Sequence, residues 1–262
     1  MNRNSVVRPL IALFLLISVT FGNTVKANNS LESATDSIGI TSSDSRFNPS
    51  QLIVPGTMIA VGTLGVIKGG PLHKAKHAVK NHLDKLSGEE IFCLDDYTQL
   101  FPAITYLCMG GRHAKHSFKE RAVVGATAYM IMASIVNTAK YTIREQRPDA
   151  STRNSFPSGH TATVFTGAEL MREEYGPGWG AGAYTLATVV AFLRMYNGRH
   201  WLNDVIAGAG VGILSARLAY GMLPIYQRWF GWDKKDAGTT AIILPSFNPD
   251  NKNFAINMTV TF

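Results

Sequence analysis

The chain has 262 residues, of which 46% are hydrophobic and 16% are charged, with a formal net charge of +7 at pH 7. The length fits one domain with a small appendage, and the charged fraction lies below the roughly 25% usual in soluble domains. A mean hydropathy of +0.04 leaves both a membrane protein and a helical soluble protein open. The basic excess suits an anionic lipid surface or a phosphorylated substrate. Cys93 and Cys108 are equally consistent with one disulfide and with two free thiols.

The N-terminus has the pattern of an export signal. Arg3 and Arg8 precede an apolar core over residues 10–21, and a small-residue cleavage signal follows. We therefore predict a secretory signal peptide over residues 1–27, either cleaved or kept as an anchor. A polar leader, rich in Ser, Asn and Asp, is predicted over residues 28–50.

Apolar stretches separated by glycine, proline or charged breaks form the body of the chain. They lie at about 52–67, 97–111, 121–143, 160–171, 181–196 and 202–225. Strand-like alternation is absent before residue 238, so we predict an all-α domain over 51–226, a membrane-embedded bundle of five to six apolar helices. Several stretches are shorter than the ~20 residues of a full span. Their small residues fit close helix packing, either in a membrane or in a soluble bundle.

Two segments differ from this pattern. Residues 71–90 form a basic amphipathic segment in which His73 and His77 stand four residues apart. No nearby Cys, Asp or Glu completes a metal-ligand set, so we interpret the segment as a solvated or lipid-facing surface. The tail over 227–262 alternates on both sides of NPDNKN, which predicts a β-hairpin.

The first stretch that carries chemistry is KYTIREQRP, residues 140–148. Lys140 and Arg147 are two helical turns apart and share a face, and Pro148 ends the helix near Arg147. Charges in an apolar helix are expensive and usually mark a site, although cations at a membrane edge can also extend along the surface. Arg144 lies on the same face and is a further candidate.

The second stretch is PSGH, residues 157–160. Ser158 can cap the helix that begins here, and Gly159 lets the backbone approach a ligand closely. The exposed N–H groups and the positive end of the helix favour a bound anion. His160 stands in the first turn, where it can face that anion.

The third stretch is RMYNGRHWLND, residues 194–204. Arg194 ends one apolar helix, and His200 and Asp204 stand four residues apart at the start of the next. A carboxylate at this spacing can hold one imidazole nitrogen and leave the other free to attack. Such pairs are more often surface pairs, but the start of an apolar helix favours a buried site. Arg199 is interpreted as a bystander.

Together, the motifs Lys-x6-Arg-Pro, Pro-Ser-Gly-His and Arg-x5-His-x3-Asp resemble the type 2 phosphatidic acid phosphatase superfamily. This superfamily also contains bacterial class A acid phosphatases and vanadium haloperoxidases. The resemblance covers about residues 120–225. One position departs, because the family's third motif usually has Ser before its Arg and this chain has Leu193. That change affects one phosphate hydrogen bond and leaves the charged positions intact.

The resemblance implies a role for each matched position. His200 is the expected nucleophile that forms a phosphohistidine, Asp204 orients it, and His160 protonates the leaving oxygen and later activates water. The phosphoryl oxygens are expected to bind to Lys140, Arg147, Arg194, Ser158 and Gly159. Three fixed cations can supply the charge that a metal supplies elsewhere. We therefore expect no metal and no cofactor, with vanadate as an inhibitor.

The expected function is hydrolysis of a phosphorylated lipid at an inner membrane, with no nucleic-acid partner. Lipid A, phosphatidylglycerophosphate, undecaprenyl diphosphate and phosphatidate all remain open as substrates. The alternatives are a soluble periplasmic acid phosphatase, a vanadium haloperoxidase and a non-enzymatic lipid-binding bundle. The basic stretch 111–121 is cytoplasmic by the positive-inside rule, which places the motifs on the periplasmic side. The sequence leaves open the oligomeric state and whether residues 52–67 cross the membrane.

Overall fold

The structure, a computed structural model, describes residues 48–85, 98–110, 114–232, 240–248 and 253–261. The predicted signal peptide, nearly all of the predicted leader and Cys93 lie outside these residues. Pro49–Phe262 form one compact unit. After a 3-10 turn, Pro49–Leu52, the described helices are α1 (Ile53–Leu64), α2 (Pro71–Asp84), α3 (Phe101–Cys108), α4 (Phe118–Ile143), α5 (Gly159–Tyr175), α6 (Pro177–Tyr196), α7 (Leu202–Gly221) and α8 (Leu223–Phe230).

These helices confirm the predicted all-α body, and local chemistry explains their ends. Ser117 caps α4 in a reciprocal capping box with Glu120. The helix ends at Ile143, before the predicted end near Arg147, because Arg144 has a left-handed φ of 52°. The prediction that Lys140 and Arg147 share a helical face is therefore wrong. The predicted apolar stretch 202–225 divides into α7 and α8, because Pro224 lacks the N–H group that a continuous helix needs there.

Helix α5 lies at the centre of the bundle and packs closely on α7. A Cβ at Gly208 would lie 2.6 Å from the carbonyl oxygen of Ser158, and one at Gly212 would lie 2.5 Å from that of Ala162. Both distances are too short for any side chain, so the glycines allow the two backbones to touch. This close contact places the first turn of α7 beside the first turn of α5.

Among the described residues, two stretches are long and apolar enough to cross a membrane, Phe118–Ile143 and Leu202–Phe230. Helix α1 has 12 residues, or about 18 Å at 1.5 Å per residue. That length is well short of the ~30 Å hydrocarbon core. Helix α1 therefore does not span a bilayer by itself, and it packs along α7 instead.

A cluster of buried charges joins three helices, which the sequence did not predict. The Glu169 side chain on α5 is fully buried and binds Arg172 through two hydrogen bonds of 2.8 and 2.9 Å. Arg217 of α7 donates to the same carboxylate at 2.5 Å, and Tyr184 of α6 also donates to it. The buried carboxylate is thus compensated by two cations, as a stable buried charge requires.

The C-terminal part contains the predicted hairpin. Strand β1, Thr240–Asn248, pairs with β2, Asn253–Thr261, in an antiparallel arrangement. Thr240 lies opposite Thr261, and Asn248 lies opposite Asn253. The two strands therefore lie on either side of residues 249–252 of NPDNKN, as the sequence predicted.

Candidate active site

The three predicted motifs meet where α4 ends and α5 and α7 begin. His200, in the turn between α6 and α7, is almost fully buried. Burial and the charges of Arg194, Lys140 and Arg147, in that order, hold the pKa of His200 well below its usual range. All three predicted phosphate-binding cations therefore lie near one buried imidazole. The lowered pKa favours the neutral form of this imidazole.

His200 and Asp204 form the predicted pair. The Nδ1 atom of His200 lies 3.6 Å from Oδ2 of Asp204, and both side chains are buried. Because Nδ1 faces the carboxylate, Nε2 is the nitrogen available for attack. The backbone N–H of Trp201 donates a 2.9 Å hydrogen bond to the same carboxylate oxygen and fixes it in the first turn of α7.

Ser155 is a site residue that the sequence analysis missed. Its hydroxyl donates to Oδ2 of Asp204 and lies 3.5 Å from Nδ1 of His200. The side chain is fully buried, and its own N–H donates to the carbonyl oxygen of Glu145 at 2.9 Å. Ser155 stands two residues before PSGH, at a position that the motif does not specify, so only the fold shows its contact with Asp204.

The PSGH stretch begins α5 as predicted. Ser158 is the N-cap residue, and its hydroxyl accepts hydrogen bonds from the N–H and the hydroxyl of Thr161. A Cβ at Gly159 would lie 4.0 Å from Cε of Lys140, so the glycine leaves open space beside that cation. His160 is half-buried in the first turn of α5.

Hydrogen bonds in the loop before α5 and in the turn before α7 position the cations. The carbonyl oxygen of Arg194 accepts hydrogen bonds from the N–H groups of Arg199 and His200 at 3.0 and 3.2 Å, which closes the turn before α7. Lys140 donates a 2.5 Å hydrogen bond to the carbonyl oxygen of Asn154. Arg199 forms an ion pair of 3.3 Å with Asp149.

A cavity of about 490 Å³ opens beside Lys140. Its lining includes two further cations, Arg144 and Arg153, and the exposed ring of Tyr141. Within the part of the chain that the structure describes, neither arginine forms an ion pair. This cavity, which we call the cationic pocket, is suited to an anionic group next to the motif residues.

Helix α2 is not the simple surface that the sequence suggested. Its Lys76 is buried, and the ring of His77 packs edge-on against Trp201 with the centroids 4.6 Å apart. His73 packs against His77 in turn, at 4.7 Å. The two histidines thus form successive edge-on ring contacts that end on Trp201, the residue that follows His200. The interpretation of the segment as wholly solvated or lipid-facing is wrong at Lys76.

Part of this chain is similar to two curated proteins. A Lipid A 1-phosphatase of Porphyromonas gingivalis is 35% identical over 170 residues, which are 61% of this chain and 38% of that protein. A putative undecaprenyl-diphosphatase of Escherichia coli is 36% identical over 84 residues, 30% of this chain and 42% of that protein. The chain thus spans about two-fifths of the length of these curated relatives.

Among solved structures, a transmembrane PAP2-type phosphatidylglycerolphosphate phosphatase of Bacillus subtilis resembles this chain with a TM-score of 0.48 and 19% identity. The likeness covers 67% of this chain and 98% of that one. Residues 122–228 match the model of the PAP2 superfamily, and this match contains all three motifs. Residues 122–228 of this chain are therefore similar to the PAP2 superfamily, the family that the motifs resemble.

Proposed function

We propose that the protein is a membrane phosphatase that hydrolyses a lipid phosphate through a phosphohistidine on His200. One observation carries the proposal: the buried His200 has its Nδ1 atom 3.6 Å from Oδ2 of Asp204 and lies among the charges of Lys140, Arg147 and Arg194. Phosphoryl transfer requires mainly positioning and neutralisation of the charge on the equatorial oxygens. This cluster supplies both.

In the first step, Nε2 of His200 attacks phosphorus and the bond to the leaving oxygen breaks. His160, at the start of α5, gives its proton to that oxygen. In the second step, His160 takes a proton from water, the water oxygen attacks phosphorus, and the phosphorus–nitrogen bond breaks. Inorganic phosphate leaves, and both histidines return to their starting protonation states.

The surface of the bundle supports a membrane location. Large apolar side chains are exposed on α3, α4 and α8, among them Phe101, Met130 and Trp229. Lipid is the simplest partner for large apolar side chains exposed on several helices. The exposed faces favour the membrane protein over the soluble periplasmic alternative.

The length of α4 supports an active site on the periplasmic side. Lys115 and His116, in the basic stretch, lie at the N-terminal end of α4, and Lys140 lies at the other end. The helix has 26 residues, about 39 Å at 1.5 Å per residue. If the basic end is cytoplasmic, the catalytic end lies outside the inner membrane.

The cationic pocket supports a substrate with a second anionic group. Arg144 and Arg153 add two positive charges beside Lys140, and guanidinium groups match phosphate oxygens well. A diphosphate lipid or a phosphorylated saccharolipid fits this pocket better than phosphatidate, whose head group carries no second anion. Both curated relatives are named for substrates of the favoured kinds.

The test is phosphate release by purified protein from lipid A, undecaprenyl diphosphate, phosphatidylglycerophosphate and phosphatidate in matched detergent micelles. We expect activity on a lipid that carries a second anion, retained in EDTA and inhibited by vanadate. Arg153→Gln should raise KM for that lipid and leave hydrolysis of p-nitrophenyl phosphate unchanged. Loss of activity in EDTA, with recovery on adding magnesium, would contradict the proposed chemistry.

A further inference from the structure

A buried ion pair lies beside the active site and outside the matched motif positions. Lys76 of α2 pairs with Oε1 of Glu145, and the two side chains are only 4% and 9% exposed. Glu145 occupies one of the six unspecified positions between Lys140 and Arg147. Lys76 lies in a helix that precedes the region matched by the superfamily. Isolated buried charges are unfavourable, so each residue depends on the other.

Glu145 contacts Ser155, which donates to Asp204, and Asn203, which precedes Asp204 in the chain. Its other carboxylate oxygen accepts a 3.2 Å hydrogen bond from the side-chain amide of Asn203, the neighbour of Asp204 in the first turn of α7. Its main-chain carbonyl accepts the N–H of Ser155, whose hydroxyl donates to Asp204. Hydrogen bonds therefore lead from Glu145 through Ser155 to the carboxylate that faces His200, and a further bond joins Glu145 to the adjacent residue of α7.

Lys76 also reaches the other side of the catalytic pair through Trp201. Its ammonium nitrogen lies 5.1 Å from the centroid of the Trp201 ring, within the range of a cation–π contact. The indole N–H of Trp201 donates to the carbonyl oxygen of Gln146 at 2.7 Å, and its main-chain N–H donates to Asp204. Trp201 follows His200 directly, so the contact of Lys76 with Trp201 packs α2 against the turn that contains His200.

The charges explain why a lysine is needed at this position. Burial and the nearby Asp204 carboxylate raise the pKa of Glu145 to about 7, and Lys76 opposes both effects. Without the ammonium group, two adjacent buried carboxylates would compete for a proton. Glu145 would then accept hydrogen bonds less well from Asn203.

We propose that Lys76 and Glu145 are positioning residues that hold Asp204 and His200 in the geometry required for attack on phosphorus. The proposal rests on the proposed function of His200. Neither residue touches the substrate in this role, so their removal slows the chemical step and leaves phosphate binding nearly unchanged. The basic amphipathic helix α2 thereby becomes part of the catalytic apparatus.

The variants are Lys76→Met, Glu145→Gln, the double variant, and Lys76→Arg. The matched control is Lys80→Met, which removes an exposed ion pair with Asp84 on the same helix. With p-nitrophenyl phosphate, Lys76→Met should slow phosphoenzyme formation by about 10- to 100-fold, the scale of a small misplacement. KM should stay nearly constant. Lys76→Arg should restore most of the rate of phosphoenzyme formation, and the double variant should restore part of it. Neither variant leaves one buried charge unpaired.

A second readout follows the His200 imidazole by NMR in ¹⁵N-histidine-labelled protein. Its resonances should shift in Lys76→Met and not in Lys80→Met. The proposal is overturned if Lys76→Met and Glu145→Gln keep the original rate per folded molecule and the original His200 resonances. If the unaltered protein forms no phosphoenzyme, the proposed function fails, and the His200 resonances alone then decide the positioning role.

Discussion

The backbone N–H of Ser158 donates a 3.0 Å hydrogen bond to the carbonyl oxygen of Asp204. This bond joins the start of α5, where the phosphate is expected to bind, to the start of α7, which carries the partner of His200. The close approach of the two helices at Gly208 makes the bond possible. The contact that packs α5 against α7 therefore also positions the residues of the candidate site.

Gly208→Ala should weaken both stability and activity. The new methyl group would lie 2.6 Å from the carbonyl oxygen of Ser158, a backbone atom that cannot move alone. Overpacking of this kind costs about 1–3 kcal/mol, measurable as a fall in the Tm of the purified protein. Gly182→Ala on α6 is the control, because its Cβ would meet nothing within 4 Å. Equal Tm values for the two variants would show that the helices are not in contact there.

Ser155→Ala should lower kcat and leave KM unchanged. The variant removes one of the donors to Asp204 and keeps the Trp201 N–H. Hydrogen bonds to charged groups contribute about 1.5–3 kcal/mol, so we expect a loss of tenfold or more in steady-state assays. Ser134→Ala is the control, since that hydroxyl bonds only within α4. A change in KM alone would instead make Ser155 a substrate ligand.

Gly159→Ala should impair phosphate binding without unfolding the protein. The added Cβ would lie 3.9 Å from Cγ1 of Val136 and 4.0 Å from Cε of Lys140, which are ordinary contact distances. It would, however, fill the space beside Lys140 where phosphoryl oxygens are expected. We expect about a tenfold weaker inhibition by vanadate, with Tm unchanged. Unaltered inhibition would place the phosphate elsewhere.

His200 should remain neutral at pH 6.5, the usual midpoint of histidine titration. Its pKa is lowered by burial and by three nearby cations, so below pH 6.5 the unfolded chain binds a proton that the native site does not. Stability should therefore fall as the pH drops below 6.5. NMR titration of labelled histidines, with His200→Asn for assignment, measures this directly. Protonation at or above pH 6.5 would contradict the arrangement.

The sequence predicted the helical body and the hairpin, because periodicity is a local property. Motif spacing marked the eight candidate site positions, whose roles stay predictions. The sequence did not predict Ser155 or Lys76. Ser155 reaches Asp204 across 49 positions, and Lys76 reaches Glu145 across 69. Contacts at such separations arise from packing. A single sequence does not distinguish a buried lysine on an amphipathic helix from a solvated one. The buried charges around Glu169 were not predicted, for the same reason.

The central claim is that His200 carries the phosphoryl group and His160 acts on the leaving oxygen. Rapid-quench trapping with p-nitrophenyl phosphate tests it most directly, since this leaving group needs little protonation. His200→Ala should give no acid-labile phosphoenzyme. His160→Ala should still form one and break it down slowly, because water is no longer activated. A phosphoenzyme in His200→Ala, together with its absence in His160→Ala, would reverse the two roles and contradict the account.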